Sequence, residues 1–359
     1  MTKIDIISGF LGAGKTTLIN RLVKEAYVAE KLVLIENEFG EIGVDGGFLK
    51  DSGIEITEMN SGCICCSLVG DFSKALVQVI EDYAPDRIII EPSGVGKLSD
   101  VTKAVVAANI TDAVVNSAVV VVDVNKCKMY MKNFGEFFND QIEHAGCIYF
   151  SHTDKATEHK ISEAVELVRE HNKDAELIVT SADELNTETL IQAFEKRASL
   201  EEQLKQLLAE ESCPVCGEHH HHKHHHDEHC HCHEHDHHKH HHHECHDEHC
   251  HCHEHHHHEH DHHEHHHADD VFMSWGKETV KKYSIQSIEN ILKEFDNKQD
   301  YGFVIRSKGI VEGGDGSWIY FDYVPGEINV RIGASSTIGK ICVIGSNINE
   351  SKIAELFDI

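Results

Sequence analysis

At 359 residues the chain is longer than one hydrophobic core usually serves, and 40% hydrophobic content is enough for two domains. A formal charge of -30 excludes a general nucleic-acid binder, since phosphate backbones would be repelled, and excludes a polybasic membrane patch. That charge treats all 35 histidines as neutral, although imidazoles with an ordinary pKa of about 6.5 are partly protonated or metal-bound in a cell.

No signal segment precedes the first apolar run, and no stretch approaches the ~20 apolar residues that span a bilayer, so a cytoplasmic protein with no membrane partner is expected. In that reducing compartment the 13 cysteines read as metal ligands where they cluster. Cys127, Cys147 and Cys342 stand alone in or near apolar stretches and read as small buried side chains.

The apolar run Ile4 to Ile7 leads into SGFLGAGKTT (8–17) and then LINRLVKEA, a strand, a glycine-rich loop and a helix. Gly9, Gly14, Lys15 and Thr16 fit the G-x-x-x-x-G-K-[ST] phosphate loop, whose backbone N–H groups close on phosphate oxygens at a helix N-terminus. Gly12, Ala13 and Thr17 complete the expected nucleotide contacts. Lys15 is assigned to the β- and γ-phosphates, and the Thr16 hydroxyl to Mg²⁺, which takes oxygen ligands and keeps several waters.

KLVLIE (31–36) reads as a strand, followed by the polar, glycine-rich NEFGEIGVDGG. IEITEM (54–59) alternates as a short strand before SGCICC, and DFSKALVQVIEDY (71–83) has helical spacing. RIIIEPSG (87–94) is a buried strand ending in a turn. A helix over roughly 97–109, a strand over 117–124, a helix near 134–145 and the strand 147–151 continue the alternation. Helix 158–171 and strand 176–183 complete it. Val/Ile runs alternating with helices predict an α/β P-loop NTPase domain (1–197) with a mostly parallel sheet and ligands at the carboxyl ends of the strands.

Residues 186–211 read as an amphipathic helix. Composition then changes abruptly: 31 of the 35 histidines lie between His219 and His267, mixed with Cys, Asp and Glu. No core can be built from that mixture, so the segment 198–270 is expected to combine the helix end with a disordered linker. From Val271 the pattern is globular again. VFMSW reads as a strand, 284–295 as a helix, and GFVIRSKGIV, SWIYFDYV, INVRIG and KICVIG as consecutive strands before a helix near 350–357, a small α+β C-terminal domain (271–359).

Four constellations carry chemistry. Glu91 ends an apolar strand and Gly94 follows in a turn, so Glu91 is assigned to orient water and the Gly94 N–H to meet the γ-phosphate. Cys63, Cys65 and Cys66 place three thiols within four residues, able to converge on one soft or borderline cation. A fourth donor is needed, and Glu36, Glu38 and Glu41 stand as candidates; a changeable fourth ligand suits a site that releases its metal. For the base, NKCK (125–128) lacks the acid of N-K-x-D, whereas SHTD (151–154) offers Asp154 to guanine N1–H and N2–H. Ser151 and His152 replace the usual Asn and Lys, which leaves GTP against ATP open, and TSAD (180–183) suits a contact to the guanine carbonyl. Finally, Cys213 and Cys216 have zinc-knuckle spacing, and DEHCHCHEH recurs at 227–235 and 247–255, supplying Cys230, Cys232, Cys250 and Cys252. Thiolate and imidazole favour zinc, cobalt, nickel and copper, and many weak sites on one tether favour buffering or delivery.

GFLGAGKTT, ENEFGEIGVD, GCICC and EPSG, in that order, resemble the CobW-type family of P-loop GTPases, itself similar to the nickel chaperones of hydrogenase and urease maturation. QIEHAGCIYFSHTD resembles its base-recognition segment, with Gln141 and Asp154 kept, and SW (274–275) and RSKG (306–309) resemble its C-terminal domain. The resemblance implies GTP hydrolysis and transfer of a transition metal, zinc first and Co²⁺ or Ni²⁺ as alternatives, to a client metalloprotein. Related GTPases often act as dimers. Two alternatives stand beside it: a cobalt-insertion activator for a nitrile hydratase or cobalamin pathway, and a metal store with a degenerate GTPase. Turnover is expected to be slow, as in GTPases without a supplied arginine or positioned glutamine.

Overall fold

The computed structural model describes residues 1–36, 55–58, 69–181, 184–195 and 268–359. Those before 195 and after 268 form one compact unit. Its first layer is a seven-stranded sheet of β1 (Thr2–Gly9), β2 (Leu32–Glu36), β3 (Glu55–Glu58), β4 (Arg87–Glu91), β5 (Ala113–Asp123), β6 (Cys147–Ser151) and β7 (Glu176–Ile178). The order is β3-β2-β4-β1-β5-β6-β7, every pairing parallel. Between them run α1 (Lys15–Arg21), α2 (Val69–Tyr83), α3 (Leu98–Ala107), α4 (Cys127–Glu143), α5 (Glu158–His171) and α6 (Thr187–Phe194).

Continuous Val/Ile runs arise because both faces of the sheet are covered, and strand alternation sorts them. Ile88, Ile90, Val120 and Val122 pack into one cluster with residues of α2, α3 and α4. Ile89, Val119 and Val121 pack into the other, with Leu18 and Ile19 of α1 and Leu190 and Phe194 of α6. The expected α/β layering is present, with three local differences. Helix α4 starts at Cys127 rather than near 134, bending at Phe134 (φ -138, ψ 34) to seat that ring in an aromatic cluster. Strand β7 stops at Ile178, and within VFMSW, Val271 closes the short helix α7 (Ala268–Val271) while the strand begins at Met273. The amphipathic helix is described only as far as α6; the rest of 186–211, the stretch 37–47, SGCICC and the histidine-rich tract lie outside the described residues.

The second layer holds β8 (Met273–Thr279), β9 (Lys282–Tyr283), β10 (Phe303–Gly313), β11 (Trp318–Val324), β12 (Glu327–Gly333) and β13 (Gly339–Ser346), in the order β12-β11-β10-β13-β8. These pairings are antiparallel; β9 joins β10 in parallel. With α8 (Ile285–Glu294), α9 (Lys298–Tyr301) and α10 (Glu350–Phe357), they realise the expected α+β arrangement. One face of the sheet, carrying Ile319, Phe321 and Tyr323, packs on Ile288, Leu292 and Phe357 of the helices.

The opposite face is turned to the first layer. Ile344 and Cys342, with Ile305 and Phe272, belong to the same core cluster as Ile4, Ile6 and Val120. Phe10 of the phosphate loop is fully buried, its ring centroid 4.5 Å from Tyr130, 5.5 Å from Phe134 and 6.1 Å from Phe272. Such ring pairs add stabilisation beyond their buried area, so the glycine-rich loop is anchored by a core drawn from both layers. Among the described residues no helix is long and apolar enough to cross a membrane.

Candidate functional site

β1 is the central strand, and the loop after it stands between the carboxyl ends of β4 and β5, where the strand order reverses. In such sheets ligands bind at that point. Three glycines set the loop's path: Gly9, Gly12 and Gly14 have φ of +143, +72 and +99, a region L side chains rarely adopt. A β-carbon on Gly9 would also overlap the Val121 carbonyl of β5, and one on Gly12 would overlap Val324 of β11.

Lys15 is 5% exposed, and its Nζ donates to the Gly9 carbonyl at 2.9 Å, curling back over the loop. The Thr16 hydroxyl donates to Glu91 Oε1 at 3.3 Å. Two oxygen donors side by side at a helix start fit a hard divalent cation such as Mg²⁺ with waters completing its shell. Thr16 and Glu91 would hold it, and the ion would supply neutralisation of phosphate charge.

A cavity of about 300 Å³ opens over these groups, lined by Gly12, Gly14, Lys15, Thr16, Thr17 and Glu91. Asn20, four residues beyond Thr16 on the same helical face, also lines it, as do Arg306, Lys308 and Asp322 from the second layer. The i, i+4 spacing of Asn20 was available in the sequence; the other three arrive through tertiary packing alone. Gly94 sits against the loop, since a β-carbon there would come within 2.8 Å of Leu11 Cδ2. Its turn is held by Gln141, fully buried on α4, whose Nε2 donates to the Gly94 carbonyl at 3.3 Å and the Gly96 carbonyl at 2.7 Å. Kept in the segment likened to base recognition, Gln141 instead braces the turn after Glu91.

The larger neighbouring cavity, about 580 Å³, shares Gly12 and Arg306 and reaches His152, Lys155 and Asn125. Ser151 lies near the phosphate loop, its Cβ 3.8 Å from where a β-carbon on Gly14 would stand. His152 has φ +58, opening the turn Thr153–Lys155. Asp154 is exposed in that turn and lines neither of these cavities, and Ala182 and Asp183 lie outside the described residues. In the NKCK segment, Lys126 pairs with Asp123 at 3.1 Å and with Glu327 of β12 at 3.0 Å.

Cys63, Cys65, Cys66, Glu38, Glu41 and all the cysteines from Cys213 to Cys252 lie outside the described residues, among which no metal-binding group of His, Cys, Asp and Glu occurs. Glu36 is described: it ends β2 in register with Glu91 of β4 on one side and Glu58 of β3 on the other. The three isolated cysteines are buried free thiols, as expected. Burial, with the charges of Asp123 and Glu163, pushes the Cys127 thiol up to about 12 and keeps it unreactive.

A parallel sheet with a phosphate loop on its central strand and a carboxylate on the adjacent strand end defines a P-loop nucleotide-binding protein. Over residues 3–179 the chain matches the family described as CobW/HypB/UreG, nucleotide-binding domain. It is similar to the zinc chaperone YeiR of Escherichia coli strain K12, with 43% identity over 96 residues covering 27% of this chain and 29% of that protein. The zinc chaperone CobW of Sinorhizobium sp is 47% identical over 96 residues, 25% of this chain and 27% of its own. Zinc-regulated GTPase metalloprotein activator 1 of Schizosaccharomyces pombe is 28% identical over 183 residues, 46% and 42% of the two chains. The matches thus span less than half of these relatives' own length. Among solved structures, the Zn(II)-bound YjiA GTPase of E. coli aligns over 99% of this chain and 98% of its own, at 17% identity and a TM-score of 0.42.

Proposed function

We propose that the protein is a GTP-hydrolysing metallochaperone that binds zinc and delivers it to a client metalloprotein, in three parts: a GTPase domain, a metal-binding linker and a CobW-like C-terminal domain. The observation that carries the reading is the phosphate-loop cavity, with Lys15 buried over Gly9 and the Thr16 hydroxyl on Glu91. In this reading Lys15 and the backbone N–H groups of Gly12 to Thr17 bind the phosphates of GTP, and Thr16 and Glu91 hold Mg²⁺. Glu91 orients the attacking water, Gly94 meets the γ-phosphate and Asp154 receives the guanine edge. Relatives bearing the names zinc chaperone and zinc-regulated GTPase support the choice of zinc and guanine.

Cys63, Cys65 and Cys66 supply three thiolates to the metal, and Glu36 is the fourth donor favoured over Glu38 and Glu41. The register supports this: Glu36 stands between Glu91 and Glu58, and Glu58 precedes Cys63 by five residues. One row of strand ends therefore runs from Glu91 through Glu36 to Glu58, and in this reading it is the route by which nucleotide state acts on metal affinity. Zinc calorimetry on the GTPγS-loaded and GDP-loaded protein tests it. The expected result is a nucleotide-dependent dissociation constant that Lys15→Ala makes uniform; equal constants in the unmutated protein would leave passive sequestration instead.

A further inference from the structure

We propose that Arg306 is a phosphate-contacting residue, delivered to the GTP site in cis by the second sheet and seconded by Lys308. The inference rests on reading the smaller cavity as the GTP phosphate site and adds to it a cation from the far end of the chain.

Arg306 and Lys308 are two residues apart on β10, so both project from one face. Register identifies that face. Cys342 and Ile344 of β13 oppose Lys308 and Arg306 and are buried in the core shared with the first sheet. Asp322 of β11 opposes Lys308 on the other side, and Val324, two residues on, is the side chain that meets Gly12. The face carrying the two cations is therefore pressed onto the phosphate loop rather than turned to solvent. Lys308 is only 9% exposed, and Arg306 lines both the phosphate cavity and its larger neighbour.

Hydrolysis breaks the bond between the γ-phosphorus and the β–γ bridging oxygen. The bonding pair leaves on the β-phosphate, while a water oxygen bonds to phosphorus and its proton passes to the released phosphate. Negative charge grows on the bridging and γ-oxygens, and a guanidinium offers a planar fork of donors matched to them without giving up a proton. An arginine so placed is worth about 10³–10⁵ in turnover where it has been supplied to other GTPases. Lys308, a point charge, adds electrostatic attraction without the fork.

The test uses the full-length protein with Mg²⁺, comparing the unmutated chain with Arg306→Ala, Arg306→Gln and Arg306→Lys, and with Lys282→Ala as a control on the same sheet. Fluorescent GDP and GTPγS titrations and single-turnover hydrolysis are measured, with thermal melts to establish folding; the Gln variant keeps the stem packed if the Ala variant does not fold. Expected are GDP affinity within about 3-fold, GTPγS affinity reduced about 10-fold, and turnover reduced at least about 10²-fold, with only partial recovery in Arg306→Lys. If the unmutated protein binds and hydrolyses GTP and the folded Ala or Gln variant does so equally, the inference is overturned and the GTPase reading stands. If the unmutated protein binds neither nucleotide, that reading falls and takes the inference with it.

Discussion

Glu327 Oε1 of β12 lies 3.0 Å from Lys126 Nζ, joining the loop after β5 to the second sheet. The same ammonium is 3.1 Å from Asp123 Oδ2, whose side chain is 1% exposed against 53% for Glu327. Removing the lysine leaves a buried carboxylate uncompensated, whereas removing the exposed glutamate costs little. Lys126→Ala is expected to destabilise by about 3–5 kcal/mol, and Glu327→Ala by about 0–1 kcal/mol, by urea denaturation. Equal losses would mean that the two carboxylates share the cation alike.

Gln141 braces the turn that follows Glu91, so its amide acts on the site through Gly94 and Gly96. Gln141→Leu keeps the volume but abandons both carbonyls. Turnover is expected to fall about 10–10²-fold through misplacement of the turn, with GDP affinity nearly unchanged. A single-turnover assay beside a GDP titration separates the two; loss of GDP affinity instead would assign Gln141 to the nucleotide pocket.

Arg87 sits at the amino end of β4, where it donates to Asp5, to Glu30 at 2.5 and 3.1 Å and to Glu195 at 3.4 Å, with its carbon 3.9 Å above the Tyr27 ring. Asp5 also accepts from Asn116 at 2.8 Å and Ser117 at 2.6 Å. Arg87→Met strips a buried carboxylate of its charge partner, an expected loss of about 3–5 kcal/mol. Because this network lies at the end of the strands away from the phosphate loop, nucleotide affinity of the folded variant is expected to be unchanged. A melting curve and a GDP titration check both halves.

His144, the residue that caps α4, lies one turn beyond Asp140 on the same face, 3.3 Å between Nδ1 and Oδ2. Burial lowers the imidazole pKa, but the bond and charge of Asp140 outweigh it and hold it above its ordinary value. Burial likewise raises Asp140, yet His144 and the Ser99 N–H and O–H bring it below the usual carboxylate range. A raised histidine contributes stability that is complete below about pH 6.5 and lost as pH climbs through its folded value. A lowered aspartate contributes stability present above about pH 4 and lost on further acidification. The pair therefore stabilises most between about pH 4 and 6.5. Urea midpoints measured across pH 5.5 to 8 should fall for the unmutated protein relative to His144→Gln; parallel curves would exclude the pair as their source.

Much of the fold was legible because its signals are local. Continuous Val/Ile runs separated by helical spacing announce a buried parallel sheet, and Phe303 to Ser346 alternates as an antiparallel one must. The early start of α4 was not legible: the rings of Tyr130 and Phe134 pack against Phe10 and Phe272, which are distant in sequence. Nor was the role of NKCK, since Lys126 finds its second partner only where β12 is folded against it.

Lys15, Thr16 and the loop glycines belong to a contiguous motif, because backbone N–H groups can converge on a phosphate only when consecutive residues turn together. So the sequence by itself determined the phosphate loop, the layering of both sheets and the fate of the three isolated cysteines. Tertiary structure decided what faces that loop. Arg306, Lys308 and Val324 lie some three hundred residues away, and strand pairing in the second sheet, followed by burial of its face against the first, brings them to Gly12. Contacts of that kind depend on register and packing between surfaces, which no local pattern of residues encodes.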